Sequence, residues 1–274
     1  MKLKLLLFAL LLHNISQAQE IKRLIFGVNV GVKFANKNYA VRYTGFYQNQ
    51  LKNFFNIQNN YQTVRTLLGN KDFVFDSYSD LYRFQPAPVY GINFGFQASE
   101  NLSFETDLNF SNIKMLGGYT LAVTDPGNFT SQAIYANGNI SGQESRFNGR
   151  INMNYRTDGD KIKGVFGLSG LLNSWRMEEN IVELNGSILT SLYSQFNPSN
   201  GFTTRVQGSG LGYGINLGIE VPFKKGIVMQ IVYQPYVTRM DYFNTKQMID
   251  DLGDNYQQPD IRIEHDLIAR FVWR

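Results

Sequence analysis

The sequence predicts an all-β protein, namely an eight-stranded antiparallel transmembrane up-and-down β-barrel with short periplasmic turns and long extracellular loops. Three observations predict this fold. Eight segments alternate apolar and polar residues with a period of two, and a tilted membrane-spanning strand needs about 9–11 residues. The connections between the segments alternate between short and long, which is typical of outer-membrane barrels. An apolar leader precedes the first segment.

The leader has the three parts of a signal peptide. Two lysines lie near its start, an apolar run follows over 3–12, and Ser16-Gln17-Ala18 forms a small-x-small cleavage pattern. We therefore expect a cleaved signal peptide over 1–18 and an outer-membrane β-barrel domain over 19–274. A retained N-terminal membrane anchor is the weaker alternative, because the cleavage pattern is good and no stop-transfer run follows it.

The composition excludes several functional classes. The 274 residues include no cysteine and two histidines, which argues against a disulfide scaffold and a thiolate metal site. We expect no cofactor and no metal. Without Lys2 and Lys4 of the leader, the 26 basic residues fall to 24 against 22 acidic ones. A chain with such balanced charge has no electrostatic footprint for nucleic acid, so we expect no nucleic-acid partner.

Each predicted strand has an apolar face and an interleaved polar or glycine-rich face. The eight strands are predicted at 23–34, 90–98, 102–111, 147–156, 162–173, 211–221, 227–237 and 261–274. The pattern is clearest over 211–221 and weakest over 162–173. Pro235 predicts a bulge or a missing ladder hydrogen bond in the seventh strand.

The connections give independent support for the barrel. Three are short, at 99–101, 157–161 and 223–226. The other four are long, at roughly 35–88, 113–146, 173–210 and 238–260. A soluble sandwich has no reason to sort its loops in this way, and an even number of strands places both chain ends on the periplasmic side.

If the apolar faces contact lipid, the charged residues of the strands point into the barrel. These predicted interior charges are Arg23, Lys33, Glu105, Asp107, Arg150, Arg156, Glu220, Arg262, Glu264, Asp266 and Arg270. An eight-stranded barrel is just wide enough for its own side chains to fill. We therefore predict a plugged barrel held by paired charges, with a proton or ion path as the less favoured alternative.

The leader, the eight strands and the terminal segment Leu267-Ile268-Ala269-Arg270-Phe271-Val272-Trp273 resemble the small outer-membrane barrels of the OmpA/OmpX type. The long outer loops and the aromatic last strand look more like the PorT-like outer-membrane barrel family. The final strand also resembles the signal read by the barrel-assembly machinery, although Arg274 follows the terminal aromatic residue. The PorT-like resemblance implies a role in protein secretion or assembly machinery.

Some small outer-membrane barrels are enzymes, and lipid A deacylases of similar size use a histidine and a serine on one strand face. His265 is the one histidine after the leader, and its neighbours on the same face are Ile263 and Leu267. Because no nucleophile stands beside it on the strand, we predict no catalytic residues.

The first long loop is rich in aromatic residues, and its segment 50–68 could include a helix. Its candidate partner-contact residues are Tyr43, Phe46, Tyr47, Phe54, Phe55, Tyr61, Tyr78 and Tyr82. Two interpretations stand side by side: the loops pack on each other as a lid, or the rings bury surface against another protein.

Two functions follow from these features. The first is a non-enzymatic accessory subunit of an outer-membrane protein complex, in contact with outer-membrane lipid, lipopolysaccharide and protein partners. The alternative is a binding or transport barrel for a small apolar ligand or a surface target.

Overall fold

The computed structural model describes residues 23–44, 51–79, 82–124, 134–159, 161–191, 194–197, 202–205, 207–224, 226–239, 241–242 and 262–273. The predicted signal peptide over 1–18 lies outside these residues. Among the helices of the described part of the chain, none is long and apolar enough to cross a bilayer.

Strands dominate the structure. In chain order they are β1 (Arg23–Phe34), β2 (Asp72–Tyr78), β3 (Arg83–Phe84), β4 (Ala87–Gln97), β5 (Leu102–Thr124), β6 (Ile134–Arg156), β7 (Lys163–Leu184), β8 (Ser187–Ser191), β9 (Ser194–Asn197), β10 (Phe202–Arg205), β11 (Gln207–Lys224), β12 (Ile227–Thr238), β13 (Asp241–Tyr242) and β14 (Arg262–Trp273). A 3₁₀ helix (Lys37–Thr44) and the α-helices α1 (Leu51–Phe54) and α2 (Gln58–Leu67) lie between β1 and β2.

Eight of the strands close into a ring in which every neighbouring pair is antiparallel. The ring order is β1, β4, β5, β6, β7, β11, β12 and β14. The first and last strands complete it, with Phe26 opposite Trp273 and Lys33 opposite Asp266. The predicted eight-stranded up-and-down antiparallel barrel is therefore confirmed.

The two ends of the barrel differ as the sequence predicted. The short connections 98–101, 157–162 and 225–226 lie at one end, which we call the turn end. The other end, the loop end, carries the connections that follow β1, β5, β7 and β12.

Three strands are much longer than predicted. The segments 113–146 and 173–210 were expected to be loops, but β5 continues to Thr124, β6 begins at Ile134 and β7 reaches Leu184. We call residues 112–124, 134–146 and 174–184 the strand extension. Its period of two persists, but its faces exchange character: Ile113 and Met115 are buried, whereas Asn112 and Lys114 are exposed. A rule that places apolar residues outward cannot find such strands.

The first long loop folds onto the inner face of the strand extension. β2 and β3 both pair with β5, so part of this loop continues the same sheet. The helix expected within 50–68 is present as α2. We call the elements of residues 37–84, together with the strand extension, the cap.

The molecule therefore has two interiors of opposite character. Polar and charged side chains fill the barrel, while an apolar cluster fills the cap. The fully or nearly fully buried residues of this cluster are Tyr39, Ala40, Tyr43, Leu51, Phe55, Val64, Phe73, Phe84, Ala87, Ile113, Met115, Tyr119, Leu121, Ile140, Trp175, Met177, Val182 and Leu184. The cap is built like the core of a water-soluble domain.

Candidate functional site

Arg270 lies at the centre of the charged barrel interior. Its guanidinium donates to both carboxylate oxygens of Asp107, at 2.9 and 2.7 Å, and to Glu105 at 3.0 Å. It also donates to the amide oxygens of Asn29 and Gln230, each at 3.1 Å. One residue of β14 therefore joins side chains from β1, β5 and β12 across the barrel.

Towards the turn end, Arg156 makes the next group of ion pairs. It contacts Glu105 at 2.6 Å and Glu220 at 3.0 Å. Because Glu105 also accepts from Arg270, the two arginines share a carboxylate. Gln230 donates to Glu220 at 2.8 Å and so links this group back to β12.

Towards the loop end, Asp266 pairs with two cations. Its carboxylate lies 2.7 Å from Arg150 and 3.1 Å from Lys33. The Lys33 ammonium also donates to the Tyr236 hydroxyl at 2.7 Å, and the Arg150 guanidinium lies 4.4 Å from the centre of the Tyr236 ring.

The last group lies at the mouth of the barrel. Arg146 contacts Glu264 at 2.5 Å and makes a short ion pair with Glu144. The Tyr236 hydroxyl donates to Glu264 at 2.8 Å. Groups of buried ion pairs thus occur at successive levels of the barrel from the turn end to the loop end. Buried charges are tolerable in this arrangement because each has a partner.

Nine of the predicted interior charges are buried at 3% exposure or less. They are Lys33, Glu105, Asp107, Arg150, Arg156, Glu220, Glu264, Asp266 and Arg270. The side chains of Arg23 and Arg262 lie outside the described part of the chain.

Sequence reasoning missed Glu144 and Arg146. Both continue the inward alternation of β6 from Arg150 towards the loop end, whereas the predicted strand begins at 147. Extending the period of two by three residues, to 144, includes both of them. The buried asparagines of the interior were also not singled out, although Asn29 and Asn152 each donate to Asp107.

Arg42 of the 3₁₀ helix joins the cap to this interior. It pairs with Glu144 at 2.8 Å, and its guanidinium lies 3.9 Å from the centre of the Trp175 ring. The rings of Tyr39 and Phe84 lie at 5.5 and 5.8 Å from the same group. A planar cation among aromatic faces, with a carboxylate at its edge, combines cation–π attraction with a charged hydrogen bond.

Tyr43 strengthens the same junction. Its hydroxyl donates to Glu144 at 3.1 Å, while Asn180 donates to its backbone carbonyl at 3.0 Å. Burial, and after it the negative charge of Glu144, raises the pKa of the Tyr43 phenol well above its ordinary value. The phenol therefore keeps its proton and remains a hydrogen-bond donor.

The predicted partner-contact aromatics pack mainly within the chain. Tyr43 and Phe55 are buried, so these two rings do not form an exposed partner surface as predicted. Phe54, Tyr61, Tyr78 and Tyr82 are half-buried against the cap cluster. Phe46 and Tyr47 lie outside the described residues. The lid interpretation therefore describes the observed packing of these loop residues, because the strand extension supplies the apolar surface that they cover.

The outward face of the barrel is apolar over its full circumference. Leu24, Ile151 and Leu211 are 82%, 70% and 75% exposed. Aromatic pairs lie near the turn end, including Phe26 with Trp273 at 6.0 Å and Phe96 with Phe104 at 5.5 Å. We call this outward surface the apolar belt.

His265 lies on the outward face, near the loop end of the apolar belt. The Tyr233 hydroxyl is 2.7 Å from its Nδ1 atom, and the two rings stack at 5.7 Å. The described side-chain partner of His265 is therefore a phenol.

No family model matches this chain, and no curated protein matches it. Among solved structures, the chain is similar to Neisserial surface protein A, with 11% identity and a TM-score of 0.41 over 91% of this chain and 95% of that one. It is also similar to the N-terminal β-barrel domain of Pseudomonas aeruginosa OprF, with 9% identity and a TM-score of 0.30 over 93% of this chain and 100% of that one. The barrel assignment rests on the strand pairing of the chain itself.

Proposed function

We propose that this protein is a non-enzymatic outer-membrane β-barrel with a plugged interior, and that it acts as a structural or accessory subunit of an outer-membrane protein complex. The observation that carries the proposal is the inverted distribution of polarity in the barrel. Charges such as Arg150 and Asp107 are fully buried, while leucines and isoleucines face outward.

The inverted polarity supports a membrane location. A soluble protein rarely exposes a contiguous apolar surface of more than a few hundred Å². The outward alternation covers Leu24–Phe34 on β1, Leu211–Val221 on β11 and Ile263–Trp273 on β14, and each of these segments has the length that a tilted strand needs to cross the hydrocarbon layer.

The filled interior argues for an accessory role over transport. Arg270, Arg156 and Arg150 each reach across the barrel to carboxylates of other strands. A solute passing through would have to separate these buried ion pairs, each of which is costly to break. The same polar side chains offer no apolar lining for a small apolar ligand.

The cap supports a role in a protein complex. Val74, Ala122 and Tyr135 lie side by side on the outward face of β2, β5 and β6, and Val74 and Tyr135 are 62% and 55% exposed. This apolar row lies on the strand extension, beyond the apolar belt. Exposed aromatic and aliphatic side chains on a rigid sheet suit a protein interface. Together with the PorT-like resemblance, this surface favours secretion or assembly machinery.

The first prediction concerns insertion into a membrane. Expressed in a Gram-negative host, the protein is expected to remain with the membranes after alkaline carbonate washing. It is also expected to migrate differently on a detergent gel before and after boiling, because a closed barrel resists detergent until it is heated. A protein that is released by carbonate and whose migration ignores boiling would rule out the proposed location.

The second prediction concerns the complex. A tagged chain extracted from its native membrane in mild detergent is expected to purify with stoichiometric membrane proteins. The double substitution Val74→Asp and Tyr135→Asp is expected to lower the amount of co-purifying membrane proteins at least tenfold, because two buried carboxylates disrupt an apolar interface.

The matched control places the same change at two other exposed apolar residues of the loop end, Ile57→Asp and Ile188→Asp. These variants are expected to keep the partners. If the unsubstituted chain purifies alone, the accessory-subunit proposal fails, even where the insertion test succeeds.

A further inference from the structure

We propose that an outward surface of the cap, formed by Arg83 on β3, residues 112–120 on β5 and residues 137–145 on β6, binds the phosphorylated saccharide headgroup of an outer-leaflet glycolipid. This inference rests on the proposed membrane location and deepens it by assigning the lipid-contacting residues. Three adjoining groups of side chains carry it: an aromatic row, a cationic edge and a neutral polar surface.

The aromatic row marks where the apolar belt ends. Tyr90, Phe110 and Phe147 lie opposite one another on β4, β5 and β6, and the two phenylalanine rings are 5.1 Å apart. Tyr90 and Phe110 are about half-exposed, at 50% and 49%. Aromatic side chains in such a row favour the boundary between hydrocarbon and headgroups.

The cationic edge follows directly beyond that row. Lys114 lies on the outward face of β5, four residues past Phe110, which is roughly 13 Å along the strand at about 3.3 Å per residue. Arg83 of β3 lies opposite Leu116, two residues further, and both cations are exposed. In the proposed orientation, the pair lies on the headgroup side of the aromatic row, where the phosphates of a headgroup lie.

The neutral polar surface occupies the outward face of β6. Its side chains are amides and hydroxyls only, namely Asn137, Asn139, Ser141, Gln143 and Ser145. Gln143 lies opposite Lys114, so this surface adjoins the cationic edge. On β5, Thr120 continues it and hydrogen-bonds Asn137 at 3.2 Å. Side chains that both donate and accept hydrogen bonds match sugar hydroxyls.

Acidic side chains lie on β7, the strand next to β6 on the side away from β5. Glu178, Glu179 and Glu183 of β7 border the face, and Glu178 pairs with Arg176 at 2.7 Å and accepts from Ser145 at 2.7 Å. These carboxylates repel an anion. They therefore direct a phosphate towards the Arg83–Lys114 edge on the opposite side of β6.

Continuity with the apolar belt identifies the occupant. The strand extension continues the same strands on the same outward face, without a break in pairing between β5 and β6 from Leu102 to Val123. Lipids whose acyl chains contact Phe110 and Phe147 must place their headgroups against this face. A phosphorylated glycolipid supplies the acyl chains, the anionic groups and the sugars that these three groups of side chains match.

The test uses a double variant that carries both Arg83→Gln and Lys114→Gln. This variant is compared with the unsubstituted chain in lipid nanodiscs. The probes are purified lipopolysaccharide, the same material after enzymatic dephosphorylation, and phosphatidylglycerol. Native mass spectrometry then counts the lipids retained by each protein. The double variant is expected to retain lipopolysaccharide at least fivefold less well than the unsubstituted chain, which should itself discriminate against the dephosphorylated form.

Lys52→Gln with Lys161→Gln is the matched control, because it removes the same charge at exposed positions away from this face. It is expected to behave as the unsubstituted chain. Equal retention of lipopolysaccharide by all three proteins overturns the proposal. A loss of phosphatidylglycerol by the double variant that equals its loss of lipopolysaccharide also overturns it, because this result would indicate unspecific attraction of anionic lipids. If the unsubstituted chain failed to enter nanodiscs, the membrane location itself would be wrong, which separates the two failures.

Discussion

Replacing Arg270 with leucine is expected to destabilise the closed barrel strongly. The change leaves the Asp107 carboxylate buried without the guanidinium that contacts it, and it leaves Glu105 paired with Arg156. Removing one partner of a buried ion pair costs about 3–5 kcal/mol. The folded population should be measured by the difference in migration before and after heating, across a urea series.

Two comparisons make this result specific. Arg65→Leu removes a partly exposed ion pair with Asp72 and is expected to cost at most about 1 kcal/mol. Adding Asp107→Asn to Arg270→Leu removes the buried negative charge as well, so the double variant is expected to recover part of the lost stability. A urea midpoint of the Arg270 variant equal to that of the unsubstituted chain would contradict the role of this residue in holding the barrel closed.

The barrel itself was predictable because every strand follows one rule, with apolar residues outward and polar residues or glycine inward. In β11, each outward position from Leu211 to Val221 is apolar and each inward position is glycine or polar, so the register follows from the alternation alone. The same rule places Asp266 and Arg270 on the inward face of β14. An alternation of apolar and polar residues that follows one rule along a whole strand can be recognised in a single segment of the sequence.

The strand extension escaped prediction because its surroundings change along one strand. On β5 the inward residues pass from Asp107 and Asn109 to Ile113 and Met115, as the strand leaves the barrel and enters the cap. The alternation continues through this change, but the inward face becomes apolar and the outward face becomes more polar. Sequence periodicity shows which residues of a strand share a face. Which of the two faces is apolar depends on what covers each face.

The contacts of the first long loop could not be predicted from the sequence for a different reason. Its composition predicted burial, but the surface that buries Phe55 is formed by residues such as Tyr119, far away in the sequence. The pairing of Arg42 with Glu144 joins residues 102 positions apart. Such contacts depend on where the barrel brings its strands, and no local pattern encodes them.

Replacing Arg42 with methionine is expected to release the cap from the barrel mouth while the barrel stays closed. The change removes the ion pair with Glu144 and the cation that lies 3.9 Å from the Trp175 ring. Loss of one partner from this buried pair should cost about 3 kcal/mol. Hydrogen exchange in peptides from residues 37–84 is therefore expected to accelerate by roughly a hundredfold, since each 1.4 kcal/mol corresponds to about a factor of ten.

The barrel strands report whether the effect is local. Glu144 keeps its ion pair with Arg146 in this variant, so exchange within β11, β12 and β14 should not change. Arg42→Lys keeps the charge but loses the planar group that lies over Trp175, and an intermediate rate is expected because cation–π attraction and charge contribute separately. If Arg42→Met left the cap as protected as before, the apolar cluster alone would hold it. The ion pair would then be a consequence of cap docking and would contribute nothing to holding the cap in place.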